Sequence, residues 1–199
     1  MTDLRMIRLG LWAMVALAAA AALWFGVLAP RLARDAALAF GRGDYRLTTT
    51  DGTPFTEASL RGGPSAVFFG FTHCPDVCPT TLGDIATWTE ALGPRAAALR
   101  VFFVTVDPER DTAATLGPYV SWVPGVTGVT GPRAEIDKAV RAFRIFARRV
   151  PLEGGGYTMD HSSSVLLFDA AGDFVAPIPY QAPDDIALAA LNRVLPADG

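Results

Sequence analysis

The stretch FFGFTHCPDVCPTTL, residues 68–82, contains both cysteines of the chain, Cys74 and Cys78. It begins inside a continuous apolar run, SAVFFGF over residues 65–71, which is typical of a strand buried on both faces. It continues into TTLGDIATWTEALG, residues 80–93, where apolar residues recur at helical spacing. Both thiols therefore follow the carboxyl end of a buried strand, where the sites of open α/β sheets are found.

Two thiols on one short turn can form a structural disulfide, a redox couple or a soft-metal site. The spacing is C-x-x-x-C, one residue longer than the usual C-x-x-C redox turn. Pro79 predicts that a helix begins there with Cys78 as its N-cap, and the positive end of the helix dipole favours thiolate over thiol. Thiolate both attacks disulfides and binds metal, so the spacing alone leaves these uses open.

Composition sets the broad class of protein. The chain has 199 residues, of which 51% are hydrophobic, so it can build one globular domain with a buried core. A net charge of -3 and a sequence pI near 5.3 argue against a nucleic-acid partner, because nucleic-acid-binding domains are usually basic. Two cysteines are too few for the disulfide framework of a small secreted domain.

The N-terminal segment, residues 1–30, is predicted to be a membrane anchor. Its apolar run from Leu9 to Pro30 covers 22 residues without a charge, and at ~1.5 Å per residue this crosses a hydrocarbon core of ~30 Å. A cleaved signal peptide is the alternative, but its apolar stretch usually covers only about 7–15 residues. Arginines flank the run on both sides, so the positive-inside rule does not decide the orientation. We expect a single-pass anchor that exports the rest of the chain, which comprises a juxtamembrane linker over 31–44 and a folded domain over 45–199.

The domain alternates between strand and helix patterns. The predicted elements come in this order: a hairpin turning at Asp51-Gly52, the strand–turn–helix that carries the cysteines, a buried strand at 99–106, a helix at 133–143, a hairpin turning at 170–172 and a closing helix at 184–195. This order predicts an α/β, thioredoxin-like fold with an N-terminal hairpin extension. The glycine-rich stretches 124–132 and 150–158 are expected to be loops or insertions.

A third ligand would separate a metal site from a redox couple, and the chain has only two histidines, His73 and His161. His161 precedes the first strand of the C-terminal hairpin. In a thioredoxin-like sheet that strand neighbours the central one, so its leading loop faces the cysteine turn. Two thiolates and one imidazole then converge, and such a low-coordinate site suits Cu(I). His73 is expected to point away from Cys74, because adjacent residues of extended chain face opposite sides.

The chain resembles the Sco/SenC family in three blocks: FGFTHCPDVCPTTL at 69–82, VTVDPERDT at 104–112 and YTMDHSSSVLLFDAAGDF at 157–174. Members of this family are membrane-anchored, thioredoxin-like copper proteins that assist assembly of cytochrome c oxidase. The resemblance covers about 45–199. It implies that Cys74, Cys78 and His161 hold copper, as Cu(I) and also as Cu(II).

The same resemblance implies partners and a location. Copper would pass to the CuA centre in the copper subunit of cytochrome c oxidase, or the thiols would reduce the cysteines of that centre. The protein would lie in the bacterial inner membrane with its domain in the periplasm. An oxidising exterior drives paired thiols into a disulfide that cannot ligate copper, so we also expect a thiol reductant and a periplasmic copper donor as partners.

Two acidic residues are candidates for the surroundings of the site. Asp107 ends the second buried strand at the sheet edge of the cysteines. It either supports the site, recognises a partner, or belongs to a plain turn in which Asp111 or Thr112 caps the next helix. Asp160 precedes His161 and either orients its ring, as carboxylates often do for ligand histidines, or is simply exposed.

The alternative function is enzymatic: a thiol–disulfide oxidoreductase that uses the same pair without metal, on oxidase-site cysteines or in redox signalling. In that case His161 would be dispensable. A peroxiredoxin-like peroxidase would need a peroxide pocket, which the sequence does not identify. A catalytic zinc site is a further alternative, since Cys2His with an open position occurs in zinc enzymes, but the deaminase pattern H-x-E with P-C-x-x-C is absent.

Overall fold

The computed structural model describes residues 3–32 and 39–196. The chain divides into two compact units, one up to residue 39 and one from Phe40 onward. Each unit is described by itself.

The N-terminal unit is a helix. α1 spans Asp3–Leu23, and a π-helical stretch, Trp24–Leu28, continues it. The apolar helical span covers Leu4–Leu32, 29 residues. Its most apolar 18 residues have a mean hydropathy of 2.2, and none of them is buried. A helix of this length and composition can cross a membrane, although a signal sequence near the N-terminus has the same properties.

The predicted linker, residues 31–44, is helical at its start and packed at its end. The helix of the first unit continues to Leu32, and residues 33–38 lie outside the described part of the chain. Phe40 stacks on Phe174 with 4.3 Å between ring centroids. The backbone N–H of Gly41 donates to the carbonyl of Ala142 at 2.9 Å. The contacts of the second unit therefore begin several residues before Tyr45.

The second unit is an α/β domain. Its strands are β1 Leu47–Thr49, β2 Pro54–Phe55, β3 Ser65–Gly70, β4 Arg100–Thr105, β5 Val126–Thr130, β6 Ala147–Pro151, β7 Tyr157–His161, β8 Val165–Phe168 and β9 Phe174–Ile178. Its α-helices are α2 Val77–Leu92, α3 Ala113–Val120, α4 Arg133–Ala142 and α5 Asp184–Asn192. Short 3-10 helices cover Glu57–Leu60 and Gly93–Ala98.

Seven strands form one sheet in the order β2-β1-β5-β4-β3-β8-β9. β4 is parallel to both β3 and β5, while β8 is antiparallel to β3. Within the described chain, β6 and β7 form a separate two-stranded antiparallel sheet. The α/β, thioredoxin-like prediction with its N-terminal hairpin is confirmed, as is the later hairpin, in which β8 pairs with β9.

The centre of the core is β3, of which every residue is buried. Phe68 and Phe69 have no exposed surface, and Phe68 meets Phe103 of β4 edge-to-face at 5.6 Å between centroids. Burying one such side chain stabilises a fold by roughly 1.5–3 kcal/mol. The end of β3, and with it the cysteine turn, is therefore fixed by a fully buried strand.

The expectation of a loop is wrong for 124–132, whereas 150–158 does contain a turn, at residues 152–156, with strand residues on both sides. The first stretch contains β5, which pairs in parallel with β4, and the second contributes to β6 and β7. Gly128 of β5 is required by close packing and not by a loop, because a Cβ at this position would lie 2.7 Å from Thr50 Cγ2. The run 154–156 forms the β6–β7 turn with φ of +90°, +100° and +80°, a backbone region that glycine enters without strain.

Two glycine-to-alanine substitutions should act in opposite directions. Gly128→Ala forces a methyl group into Thr50 and Leu116, and should lower the free energy of unfolding by about 1–3 kcal/mol. Gly83→Ala, in α2, meets no atom within 4 Å and should raise the free energy of unfolding by up to ~1 kcal/mol through helix propensity. Urea unfolding of the 199-residue chain in mild detergent measures both. Effects of the same sign would contradict this account of packing around β5.

Candidate metal centre

The cysteine turn leads directly into α2. This helix begins at Val77 with Asp76 as N-cap, so the prediction of a helix starting at Pro79 with Cys78 as N-cap is wrong. Cys78 lies in the first turn, and its backbone N–H donates to Cys74 Sγ at 3.3 Å. First-turn N–H groups lack a helical partner, and here a sulfur accepts in place of a capping oxygen. The positive end of the helix therefore acts on Cys74.

Three donor side chains converge at this turn. The ligand atoms of Cys74, Cys78 and His161 all lie within 4.8 Å of one another. His161 Nε2 is 3.6 Å from Cys78 Sγ. His161 ends β7 shortly before β8, which pairs with the central strand β3, so the connection passes the cysteine turn. The structure thus brings together the three side chains that the sequence predicts to converge.

The imidazole of His161 is oriented by a backbone carbonyl. Its Nδ1 lies 2.8 Å from the carbonyl oxygen of Ser162. A carbonyl only accepts, so Nδ1 carries the proton and the lone pair of Nε2 faces the sulfurs. Asp160 does not supply this bond: it is exposed and lies 3.6 Å from Arg148. Of the two alternatives for Asp160, the structure shows the exposed one, because adjacent residues of a strand point to opposite faces.

The two thiols differ in burial and acidity. Cys78 is fully buried, whereas Cys74 is half-buried. Hydrogen bonds from the Cys78 thiol and from turn N–H groups hold the pKa of Cys74 well below that of an ordinary thiol, although burial opposes them. Donation to Cys74 and burial raise the pKa of Cys78. The helix N-terminus was expected to favour thiolate generally, but the reduced pair carries its negative charge on Cys74.

The walls of the site come from β3 and the residue that follows it. The Phe71 ring meets the His161 ring edge-on at 5.7 Å between centroids. A Cβ on Gly70 would lie 2.9 Å from Cys78 Sγ, so this sulfur rests against bare backbone. A cavity of about 250 Å³ opens beside Cys74 and His161, between the cysteine turn and β7. The site is therefore closed on the Cys78 side and accessible on the Cys74 side.

Asp111 supports the cysteine turn, a role that sequence reasoning missed. The helix-cap alternative holds for Thr112, whose hydroxyl accepts from an N–H in the first turn of α3. Asp111 is instead fully buried, and its carboxylate accepts from the N–H of Thr72 at 3.0 Å and from the Thr72 hydroxyl at 2.5 Å. It also accepts from the hydroxyl of Thr105 at 2.6 Å. The position of Asp111 in the loop after β4, at the sheet edge where the cysteines lie, was the sequence signal that could have indicated this role.

Asp107 and His73 lie outside the donor group. Asp107 is fully buried, accepts from the Tyr157 hydroxyl at 2.9 Å, and pairs with Arg110. It therefore contacts β7 rather than the sulfurs. His73 is exposed, and its Nδ1 lies 3.0 Å from the Thr72 hydroxyl.

A thiol pair that joins a buried central strand to a helix N-terminus defines the thioredoxin-like class of proteins, and the convergent histidine gives this member a ligand set for a soft metal. The sequence model of the SCO1/SenC family matches residues 34–196. The chain belongs to the SCO1/SenC family.

Individual relatives agree with this assignment. The mitochondrial SCO2 homolog of Danio rerio is 36% identical over 149 residues, 73% of this chain and 53% of that protein. The structure of Bradyrhizobium japonicum ScoI with copper bound shares 43% identity at a TM-score of 0.72, covering 79% of this chain and 100% of that one. Yeast Sco1 with copper bound shares 31% identity at a TM-score of 0.70, covering 78% and 87%. The chain spans about half the length of the Danio rerio relative and 66% of a SCO2-like protein of Rickettsia conorii.

Alkylation should distinguish the two thiols. With its pKa lowered, Cys74 is thiolate at pH values well below ~8.5, the pKa of a free cysteine, whereas Cys78 stays protonated above that value. Iodoacetamide at pH 6 should therefore modify Cys74 first, as read by peptide mass spectrometry. Equal labelling of both cysteines would contradict the assignment of the charge.

Removing the charge of Asp111 should loosen the cysteine turn. Asp111→Asn removes the charged acceptor of three hydrogen bonds and replaces one accepting oxygen by a donor, which should cost about 1–3 kcal/mol of unfolding free energy. Asp160→Asn, an exposed carboxylate in the same region, is the matched control and should stay within about 0.5 kcal/mol of the parent. Urea unfolding measures both. Equal effects of the two substitutions would remove the structural role given to Asp111.

Proposed function

We propose that this protein is a copper metallochaperone. It binds one copper ion through Cys74 Sγ, Cys78 Sγ and His161 Nε2, and it assists assembly of the CuA centre of cytochrome c oxidase. The observation that carries the proposal is the convergence of these three donors within 4.8 Å.

The chemistry of the donors fits copper. Two thiolate sulfurs and one imidazole nitrogen in a low-coordinate site suit Cu(I), and imidazole also suits Cu(II). The hydrogen bond from Nδ1 of His161 to the Ser162 carbonyl leaves Nε2 free to ligate and fixes the ring plane, as outer-sphere partners of ligand histidines do. Cys74 is already deprotonated, so binding has to displace the proton of Cys78 alone, and affinity rises with pH.

The burial of the site supports transfer rather than permanent storage. Cys78 is closed in against β3, while Cys74 and His161 border the cavity. An incoming ligand can approach a metal from the Cys74 and His161 side and replace these two donors before Cys78 is released. A structural metal site, in contrast, has all of its coordination positions filled by protein ligands.

Partners and location follow from family membership and from the N-terminal helix. We assign residues 1–30 to a single-pass anchor in the bacterial inner membrane, 31–44 to a linker and 45–199 to a domain in the periplasm. The acceptor is the copper subunit of cytochrome c oxidase. In an oxidising compartment the two thiols form a disulfide, so a thiol reductant is needed to restore them. A periplasmic copper donor then loads the reduced site.

One observation favours a second function, thiol–disulfide oxidoreduction. An accessible low-pKa Cys74 beside a buried, protonated Cys78 is the asymmetry that disulfide exchange uses, with one attacking thiolate and one resolving thiol. This function needs no third donor, so the role of His161 separates the two functions.

The two histidines of the chain provide a matched test. His161→Ala removes one donor and should weaken Cu(I) binding by tenfold or more, measured by competition with bicinchoninate, and should impair assembly of cytochrome c oxidase in cells. His73→Ala removes an exposed ring one residue from Cys74 and should leave both unchanged. Cys74→Ser and Cys78→Ser should each abolish tight binding.

The same variants decide between the functions. Loss of copper in His161→Ala together with normal oxidase assembly would favour the oxidoreductase. Equal effects of His161→Ala and His73→Ala on copper would remove His161 from the ligand set and contradict the proposal.

A further inference from the structure

We propose that Tyr157 is a positioning residue, which holds β7 against the main sheet and thereby sets His161 opposite the cysteine pair. It acts through a group of four side chains, Asp107, Arg110, Arg149 and Tyr157, here called the Tyr157 anchor. The Tyr157 anchor is a property of the metal-free fold. Only its expected effect on copper affinity rests on the proposed copper function.

The need for an anchor follows from the sheet topology. Cys74 lies in the turn between β3 and α2, and Cys78 lies in the first turn of α2. β3 is a strand of the seven-stranded sheet, and α2 lies in the connection from β3 to the parallel strand β4. His161 is carried by β7, whose strand pairing in the described chain is with β6 alone. No ladder of backbone hydrogen bonds among the described residues then ties His161 to the cysteine half of the site, so side chains must do it.

The ring of Tyr157 is held by two guanidinium groups. Arg110 Cζ and Arg149 Cζ each lie over this ring, 3.9 Å from its centroid. Cation–π attraction is strong at such a distance, and Arg is the side chain best suited to stack on a ring. Carboxylates lie beside both positive charges: Asp107 pairs with Arg110, and Glu109, which also pairs with Arg133, lies 3.7 Å from Arg149.

The hydroxyl and the backbone of Tyr157 are held as well. The hydroxyl donates to Asp107 at 2.9 Å, and Asp107 has no exposed surface. Arg110 Nη1 donates to the carbonyl oxygen of Tyr157 at 3.1 Å. Ring, hydroxyl and carbonyl are therefore all tied to residues 107–110, which come shortly after β4 of the main sheet.

Two routes connect the anchor to His161. Along β7, His161 is four residues after Tyr157 and so lies on the same face of the strand. Across the site, Arg110 Cζ lies 5.8 Å from the Phe71 ring centroid, and Phe71 packs edge-on against the His161 ring. Releasing Tyr157 should free the imidazole while Asp111 continues to hold the cysteine turn.

The first test uses the metal-free 199-residue chain in detergent. In Tyr157→Ala, amides of residues 157–161 should exchange with solvent about tenfold faster or more, while those of α2 stay unchanged. Tyr157→Phe keeps the stacking and loses one hydroxyl bond, so its effect should be smaller. Tyr45→Phe is the matched control, because it also removes a 2.9 Å tyrosine hydroxyl bond, to Gly41, away from β7.

The second test is a double-mutant cycle on Cu(I) affinity, measured by competition with bicinchoninate. If Tyr157 acts through His161, Tyr157→Ala should weaken binding about tenfold in the wild-type background and less than twofold in the His161→Ala background. A general structural role would give the same factor in both. Tyr157→Phe should recover most of the affinity, and Tyr45→Phe should match the wild type.

The outcomes separate the anchor from the copper function. Unchanged exchange at residues 157–161, or equal affinity losses in the two backgrounds, would overturn the anchor. If Tyr157→Ala does not fold, the comparison of Tyr157→Phe with Tyr45→Phe decides: faster exchange of β7 in the first alone supports the anchor, and equal exchange overturns it. A wild-type chain that binds no Cu(I) would contradict the copper function, and the exchange experiment would still decide on the anchor.

Discussion

The site depends on one hydrogen bond, from the backbone N–H of Cys78 to the sulfur of Cys74. The fully buried β3 brings the chain to a fixed point at the N-terminus of α2, and the sulfur of Cys74 caps that helix where an oxygen usually would. The helix and the neighbouring thiol both favour a negative charge there, so the pair is divided into an accessible thiolate and a buried thiol. Disulfide exchange and soft-metal binding both start from this state, which explains why the cysteine turn alone does not choose between them.

His161 adds the metal chemistry, and it comes from a different part of the fold. The cysteine half is built into the seven-stranded sheet and braced by the buried Asp111, whereas the histidine half is a two-stranded hairpin attached through side chains. A site assembled from two separately supported halves can release its donors in steps. This arrangement suits the proposed copper carrier, because His161 and the accessible Cys74 can be replaced while the buried Cys78 still holds the metal.

The sequence predicted the parts of this structure that depend on local patterns. The apolar run of β3, the helical spacing of α2 and the turn between β8 and β9 are such patterns, and the convergence of His161 followed from the strand order they imply. The prediction of a loop was wrong at β5, because the sequence does not distinguish a glycine required by close packing, such as Gly128, from a glycine in a loop. The surroundings of the site depend on distant contacts: Asp111 supports Thr72 from 39 positions away, and Tyr157 reaches Asp107 across 50.

Copper K-edge X-ray absorption on the protein loaded with one equivalent of Cu(I) counts the sulfur and nitrogen atoms that are bound to the metal. The account predicts a first shell of two sulfurs and one nitrogen per copper in a protein that carries one copper per chain. A shell of sulfur alone, or copper shared between chains, would contradict the convergence of two thiolates and one imidazole on a single ion.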